Sequence, residues 1–143
     1  MAPFTLQTLK AGEADQLSPL APDVFDNPID PATARAFLAN PDNRLIVARD
    51  GELIIGFVSA TRLIHPDKPG GELFIQEVGT APDYQRKGVA SALMRALFEE
   101  ARAMGCKLAW LAVDTDNEGA LAFYEAIGGK PPERQFHIDF DLE

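Results

Sequence analysis

Residues Tyr84–Met94 read YQRKGVASALM. Two adjacent cations, Arg86 and Lys87, stand before Gly88, and from Val89 onward the apolar residues fall at helical spacing. The chain around them is acidic, with 143 residues and a net charge of -9. A helix start presents unpaired backbone N–H groups and the positive end of the helix dipole. Gly88, followed by the small Ala90 and Ser91, lets a ligand approach the main chain closely. Arg86 and Lys87 add full positive charges at the same place. The stretch therefore reads as a seat for a di-anion such as a pyrophosphate. The alternative is an ordinary helix start with solvated cations.

Working outward, the helix carries Val89, Leu93 and Leu97, with Ala90, Met94, Ala101 and Met104, on one face, and Gly105 would end it. Upstream, Glu72–Gly79 (ELFIQEVG) reads as a strand and His65–Gly71 as a polar loop. Two further strands lie in RLIVARDGELIIGFVSATRL, joined at Asp50-Gly51. Asp30 and Pro31 open a helix through ATARAFLAN, residues 11–30 read as turns and loop, and Phe4–Lys10 as a first strand. Downstream, Lys107–Val113 (KLAWLAV) is almost wholly apolar and suits a central strand covered on both faces. A second helix, EGALAFYEAI, ends at Gly128-Gly129, and Gln135–Leu142 reads as a last strand. The order predicts a single α/β domain over residues 1–143, with a mixed central sheet and helices on both faces.

Charge is uneven. Residues 1–82 carry -5, residues 83–106 carry +1 and residues 107–143 carry -5. A surface this acidic repels phosphate backbones, so no nucleic-acid partner is expected. No apolar run reaches the roughly 18 residues of a membrane span, and the first residues lack a secretory pattern. A cytoplasmic protein with no membrane partner is the expectation. One cysteine, Cys106, and two distant histidines give no metal-ligand spacing. Cys106 reads as a buried structural residue rather than a nucleophile.

Gln85-Arg86-Lys87-Gly88-Val89-Ala90 resembles the acyl-CoA pyrophosphate signature of the GCN5-related N-acetyltransferases, Q/R-x-x-G-x-G/A. Asn117–Tyr124 (NEGALAFY) resembles the second motif of that family, N-x-x-A-x-x-F/L-Y. The resemblance covers residues 72–129 well, and within the family it leans toward the aminoglycoside 3-N-acetyltransferase branch. It implies a sheet splayed between the fourth and fifth strands and acetyl-CoA as co-substrate. The pyrophosphate would be bound by Gln85 and by amides of Arg86, Lys87, Gly88, Val89, Ala90 and Ser91. The pantetheine arm would pair along Val78, Gly79 and Thr80, with Asn117 and Phe123 on the same cofactor. Asn117 reads equally as a plain helix cap. Gly79 inside a strand marks a bulge or a close backbone approach, and a bulge there would open the cleft.

The resemblance further implies direct transfer to a small-molecule amine, an aminoglycoside being the first small polycation to expect. The alternatives are a peptide or protein amine, or a non-catalytic acyl-CoA sensor. A homodimer is also implied. Tyr124 would protonate the leaving thiolate, its other reading being core packing. Glu77, partly desolvated in an apolar strand, would be the general base; otherwise it faces solvent. Asp114, at the end of the fifth strand, is the second candidate base, its other reading being a turn residue. Asp114, Asp116 and Glu118, with Asp23, Asp26 and Asp30 if their loop folds over the acceptor, would draw in a cation.

Overall fold

The computed structural model describes residues 3–143. A five-stranded sheet runs in the order β1-β2-β3-β4-β5, from β1 (Thr5–Thr8), β2 (Asn43–Asp50), β3 (Leu53–His65), β4 (Lys68–Thr80) and β5 (Ala109–Trp110). The first four strands are antiparallel neighbours and β5 lies parallel to β4. Helices α1 (Pro31–Ala39), α2 (Val89–Ala103) and α3 (Glu118–Ala126) complete the α/β class expected from the sequence. Two compact units divide the chain, Met1–Leu111 and Ala112–Glu143.

In the first unit the apolar runs of β2 and β3 are buried from Leu45 to Ala48 and from Ile54 to Ala60, because both faces of the sheet are covered. Side chains alternate along a strand, so Gly56 and Phe57 face opposite ways. A β-carbon on Gly56 would stand 2.8 Å from Val89 and 3.4 Å from Leu93, which places α2 directly against that face. Phe57 and Ser59 share the other side with Phe37 of α1. The buried stripe of α2 is Val89, Leu93, Met94, Leu97 and Ala101, and burying each large member contributes roughly 1.5–3 kcal/mol. Arg62 closes its last turn, donating from Nη1 to the Met104 carbonyl at 2.8 Å while pairing with Asp42 at 2.7 Å. Helix α1 starts as read: Asp30 accepts from the Thr33 amide at 3.0 Å, with Pro31 in the first turn.

Three expectations are corrected. His65–Gly71 is not a loop: β3 and β4 continue through it and turn at Pro66-Asp67, with His65 opposite Lys68. Lys107–Val113 is not a central strand. Only Ala109 and Trp110 pair, against β4 at the end of the sheet order, and Leu108 and Trp110 remain exposed. Gln135–Leu142 forms no strand; Phe136 and Leu142 are 97% and 95% exposed. Apolar content was legible in both segments, but a strand also needs a neighbour to pair with, and composition does not supply one. Taken by itself, the second unit consists of α3 with flanking irregular chain, and Asn117 caps α3 by accepting from the Ala120 amide at 3.1 Å.

Candidate active site

The site is organised by a change of phase in β4. At its start the Leu73 amide donates to the Leu108 carbonyl of the β5 segment at 2.9 Å. Farther along, Ser59 pairs with Glu77 while the next residue of β3, Ala60, pairs with Ile75. Gln76 is thus an extra residue, a bulge. One extra residue reverses which positions face which neighbour. Beyond it the Ala81 amide donates to the Ile55 carbonyl at 2.8 Å, and Thr80, Gly79 and Val78 lie opposite Gly56, Phe57 and Val58. Because bonded and non-bonded pairs alternate in an antiparallel ladder, Gly79 bonds to β3. Val78 and Thr80 aim their N–H and C=O groups the other way. On that side pairing with β5 has already stopped, at Phe74 opposite Trp110. The sheet is therefore splayed between β4 and β5, and the edge of Val78 and Thr80 lines the fork, with the Thr80 carbonyl accepting from Gln85 Nε2 at 3.4 Å.

The bulge was expected at Gly79 and lies three residues earlier. Gly79 serves a close approach instead. A β-carbon there would stand 2.6 Å from both the Phe57 ring and the Val24 carbonyl. The bulge also brings Gln76 and Glu77 to the same cavity rather than to opposite faces. Glu77 is exposed, so the expectation of a partly desolvated carboxylate is corrected: a bulge at the sheet surface turns it outward.

Past β4 the chain makes a short 3-10 turn, Pro82–Tyr84, and enters the loop before α2. Tyr84 fixes that loop to the β2–β3 hairpin by donating to Asp50 at 2.7 Å. That hydrogen bond also raises the phenol above its ordinary value. Lys87 lies over the Tyr84 ring, its Nζ 5.5 Å from the centroid. Arg86 and Gly88 are both left-handed, at φ 61° and 83°. Gly88 caps α2 without a side chain to offer. Among the described residues, the first amide of this stretch to close a helical bond is Ala92, to Gly88 at 3.1 Å. Among the described residues the amides from Arg86 to Ser91 close no backbone hydrogen bond, and a β-carbon on Gly88 would meet nothing within 4 Å. Six free donors, two cations and an open approach fit a pyrophosphate.

On the α1 side of the sheet lies a cavity of about 330 Å³. Its walls include Leu17, Phe25, Phe37, Leu45 and Phe57; its polar lining includes Asp26, Asn27, Asp30, Ser59, Gln76 and Glu77. Phe25 stacks on Phe57 with ring centroids 3.9 Å apart. Of the three aspartates read as a possible acceptor cover, Asp26 and Asp30 line the cavity and Asp23 does not. The Asp30 carboxyl is held below its ordinary value by the Thr33 hydrogen bonds of the α1 cap.

The second unit holds the remaining candidates. Tyr124 packs edge-on against Phe123, with centroids 5.1 Å apart, and burial raises its phenol above the ordinary value. Asp114 is not at a strand end, since β5 stops at Trp110; it is exposed, and its carbonyl accepts from the Asn117 amide at 3.0 Å. Cys106 is buried, and that burial pushes its thiol up, away from the thiolate. Among the described residues no group of three His, Cys, Asp or Glu is arranged to hold a metal ion, and no helix is long and apolar enough to cross a membrane. Sequence reasoning missed Ser59 and the Phe25–Phe57 stack. The one available signal was a lone serine inside the apolar run IIGFVSA.

A forked mixed sheet, with a helix head of free amides following the freed strand, defines an acyltransferase fold. Residues 14–128 match the Acetyltransferase (GNAT) family, and the chain belongs to that family. It is 33% identical over 128 residues to the N-alpha-acetyltransferase RimI of Mycobacterium tuberculosis (strain ATCC 25618 / H37Rv), covering 88% of this chain and 78% of that protein. Two other curated relatives are matched over only 34% and 38% of their own length. Among solved structures, an aminoglycoside acetyltransferase from an uncultured soil metagenomic sample, in complex with sisomicin, superposes with a TM-score of 0.83 at 16% identity, covering 98% of this chain and 97% of that one. AAC(6')-Iy, in complex with a bisubstrate analog of CoA and acetylneamine, gives 0.80 at 16% identity, covering 97% and 99%. At such identities these structures show the fold alone. The protein is an N-acetyltransferase.

Proposed function

We propose that this chain transfers an acetyl group from acetyl-CoA directly to a primary amine of a small cationic substrate, held in the cavity beside Glu77. The single observation that carries the reading is the Gln76 bulge. It aims the Val78 amide into the fork while setting Glu77 on the cavity. Acetyl-CoA supplies the activated acetyl group. The amides of Arg86–Ser91, with Gln85, would hold its pyrophosphate. Val78 and Thr80 would pair with its extended arm, Gly79 keeping that segment against β3, and Asn117 and Phe123 would complete the binding. Asn117 can do so while capping α3, because its side-chain nitrogen keeps two donors.

The chemistry assigns one task to each residue. The amine nitrogen bonds to the acetyl carbon, the carbon–sulfur bond breaks, Glu77 takes the proton lost by the amine, and Tyr124 gives one to the leaving sulfur. The Val78 amide would hold the carbonyl oxygen as negative charge develops there. An alkyl amine is neutral in roughly one molecule per thousand at pH 7, and a positioned base contributes typically 10²–10⁴-fold. A carboxylate at Glu77 is therefore worth having even where it is exposed; Asp114 is the second candidate.

A peptide α-amine is the second reading, favoured by the 33% identity to an N-alpha-acetyltransferase. An assay of CoA release against small amines, polyamines, aminoglycosides and peptides tests both. Tight CoA binding with no release for any amine would replace the enzyme by a sensor.

A further inference from the structure

The lining of the cavity, part aromatic and part polar, bears on the acceptor, on the reading just given that the amine sits beside Glu77. Among the described residues Ser59 is the one polar residue in the buried core, at 8% exposure, and it lines the cavity. It lies directly across the ladder from Glu77. A serine hydroxyl beside a carboxylate is a place for one N–H-bearing group. The apolar lining of the same cavity includes the Phe25–Phe57 stack and Phe37. Of the other carboxylates on the cavity, Asp30 is tied through Oδ2 to Thr33 as the cap of α1, which leaves Asp26. A polyhydroxylated polycation would leave its hydroxyls facing rings, while a single ammonium with an apolar substituent meets a partner at both ends.

We propose that the acceptor is a primary amine bearing one aromatic or branched aliphatic arm, its nitrogen between Ser59 and Glu77 and its arm against Phe25, Phe37 and Phe57. That chemistry occurs in free arylalkylamines and in the first residue of a peptide that begins with an apolar amino acid.

CoA release is measured with 2-phenylethylamine, ethylamine, spermidine, an aminoglycoside, and peptides beginning with leucine or glycine. Binding of the same amines to CoA-loaded protein is followed in parallel by calorimetry. The armed amine of each pair should exceed its unarmed partner in kcat/KM by about tenfold or more, the scale on which an apolar pocket discriminates. Whichever armed compound is better identifies the source. Ala34→Phe, which fills the cavity from α1, should abolish the preference without changing CoA affinity. Phe37→Ala should weaken it if the filled variant does not fold. Ser59→Ala should lower kcat/KM about tenfold for armed and unarmed amines alike, and Ser59→Thr should restore it. Equal rates within the pairs, or a preference for spermidine or the aminoglycoside, overturns the inference while leaving acetyl transfer intact. Arm-dependent binding without CoA release from any amine upholds the inference about the cavity and removes the enzymatic reading instead.

Discussion

Gly79 and Phe57 face each other across the β3–β4 ladder so closely that any side chain on Gly79 would enter the Phe57 ring, which a β-carbon would meet at 2.6 Å. The Val24 carbonyl lies at the same distance on the same side, so neither neighbour can yield alone: one is backbone, and the other is stacked on Phe25. Gly79→Ala should therefore destabilise the protein by about 1–3 kcal/mol, the range for overpacking. It should also displace the Phe25–Phe57 wall of the cavity. Urea unfolding reads the first effect and the KM for the amine reads the second. A stability equal to the parent's would mean that loop 21–30 is not held against β4.

The loop before α2 makes a different prediction. Gly88 has open space around it but a φ of 83°, so Gly88→Ala meets no atom and costs only backbone strain, roughly 1–2 kcal/mol. Relief of that strain would rotate amides out of the pyrophosphate cradle. CoA affinity should fall by tenfold or more, while Arg86→Ala and Lys87→Ala should lower it more gently and reduce its salt dependence. Calorimetric titration of CoA decides the matter; an unchanged affinity in Gly88→Ala would place the phosphates elsewhere.

How much of this was legible in the sequence follows the range of the forces involved. Helix α2 and its glycine-led start were readable because periodicity, caps and loop residues are local. So was the Asp30 cap of α1. The bulge was not placed correctly, since Gly79 suggests a close approach without saying to what. Its neighbours Phe57 and Val24 lie 22 and 55 residues away along the chain. Lys107–Val113 and Gln135–Leu142 failed as strands for a related reason: alternation and apolarity state a preference, and pairing depends on a partner far away in sequence. Ser59 could be seen as an anomaly in an apolar run, but its place opposite Glu77 depends on register.

Cys106 gives a pH-dependent test. Burial raises its thiol above the ordinary value, so the thiol form predominates at neutral pH and the reactive thiolate is scarce. Alkylation by iodoacetamide should be slow at pH 7 and accelerate only as pH climbs past the ordinary thiol range. Cys106→Ala should retain the transfer rate, since no residue in the proposed chemistry needs an acyl-enzyme. Rapid alkylation at pH 7 coupled to loss of activity would contradict this placement.

Tyr124 gives the last and most direct test. Burial raises its phenol above 10.0. The sign follows: the protonated form is favoured in the fold, so its contribution to stability is complete below pH 10 and is lost as pH rises through the folded value. At any pH up to that range the residue can donate a proton and cannot accept one. If it serves the leaving sulfur, Tyr124→Phe should lower kcat by about 10²-fold, within the range for a positioned acid, with CoA affinity unchanged because only a hydroxyl is removed. Tyr84→Phe is the contrasting variant. It removes the hydrogen bond to Asp50 that fixes the loop, and it should weaken CoA binding while leaving kcat at saturating CoA close to that of the parent. The pair thus separates proton donation from cofactor positioning. A kcat unaffected by Tyr124→Phe at saturating acetyl-CoA, measured where chemistry limits the rate, would assign the phenol to packing against Phe123 alone.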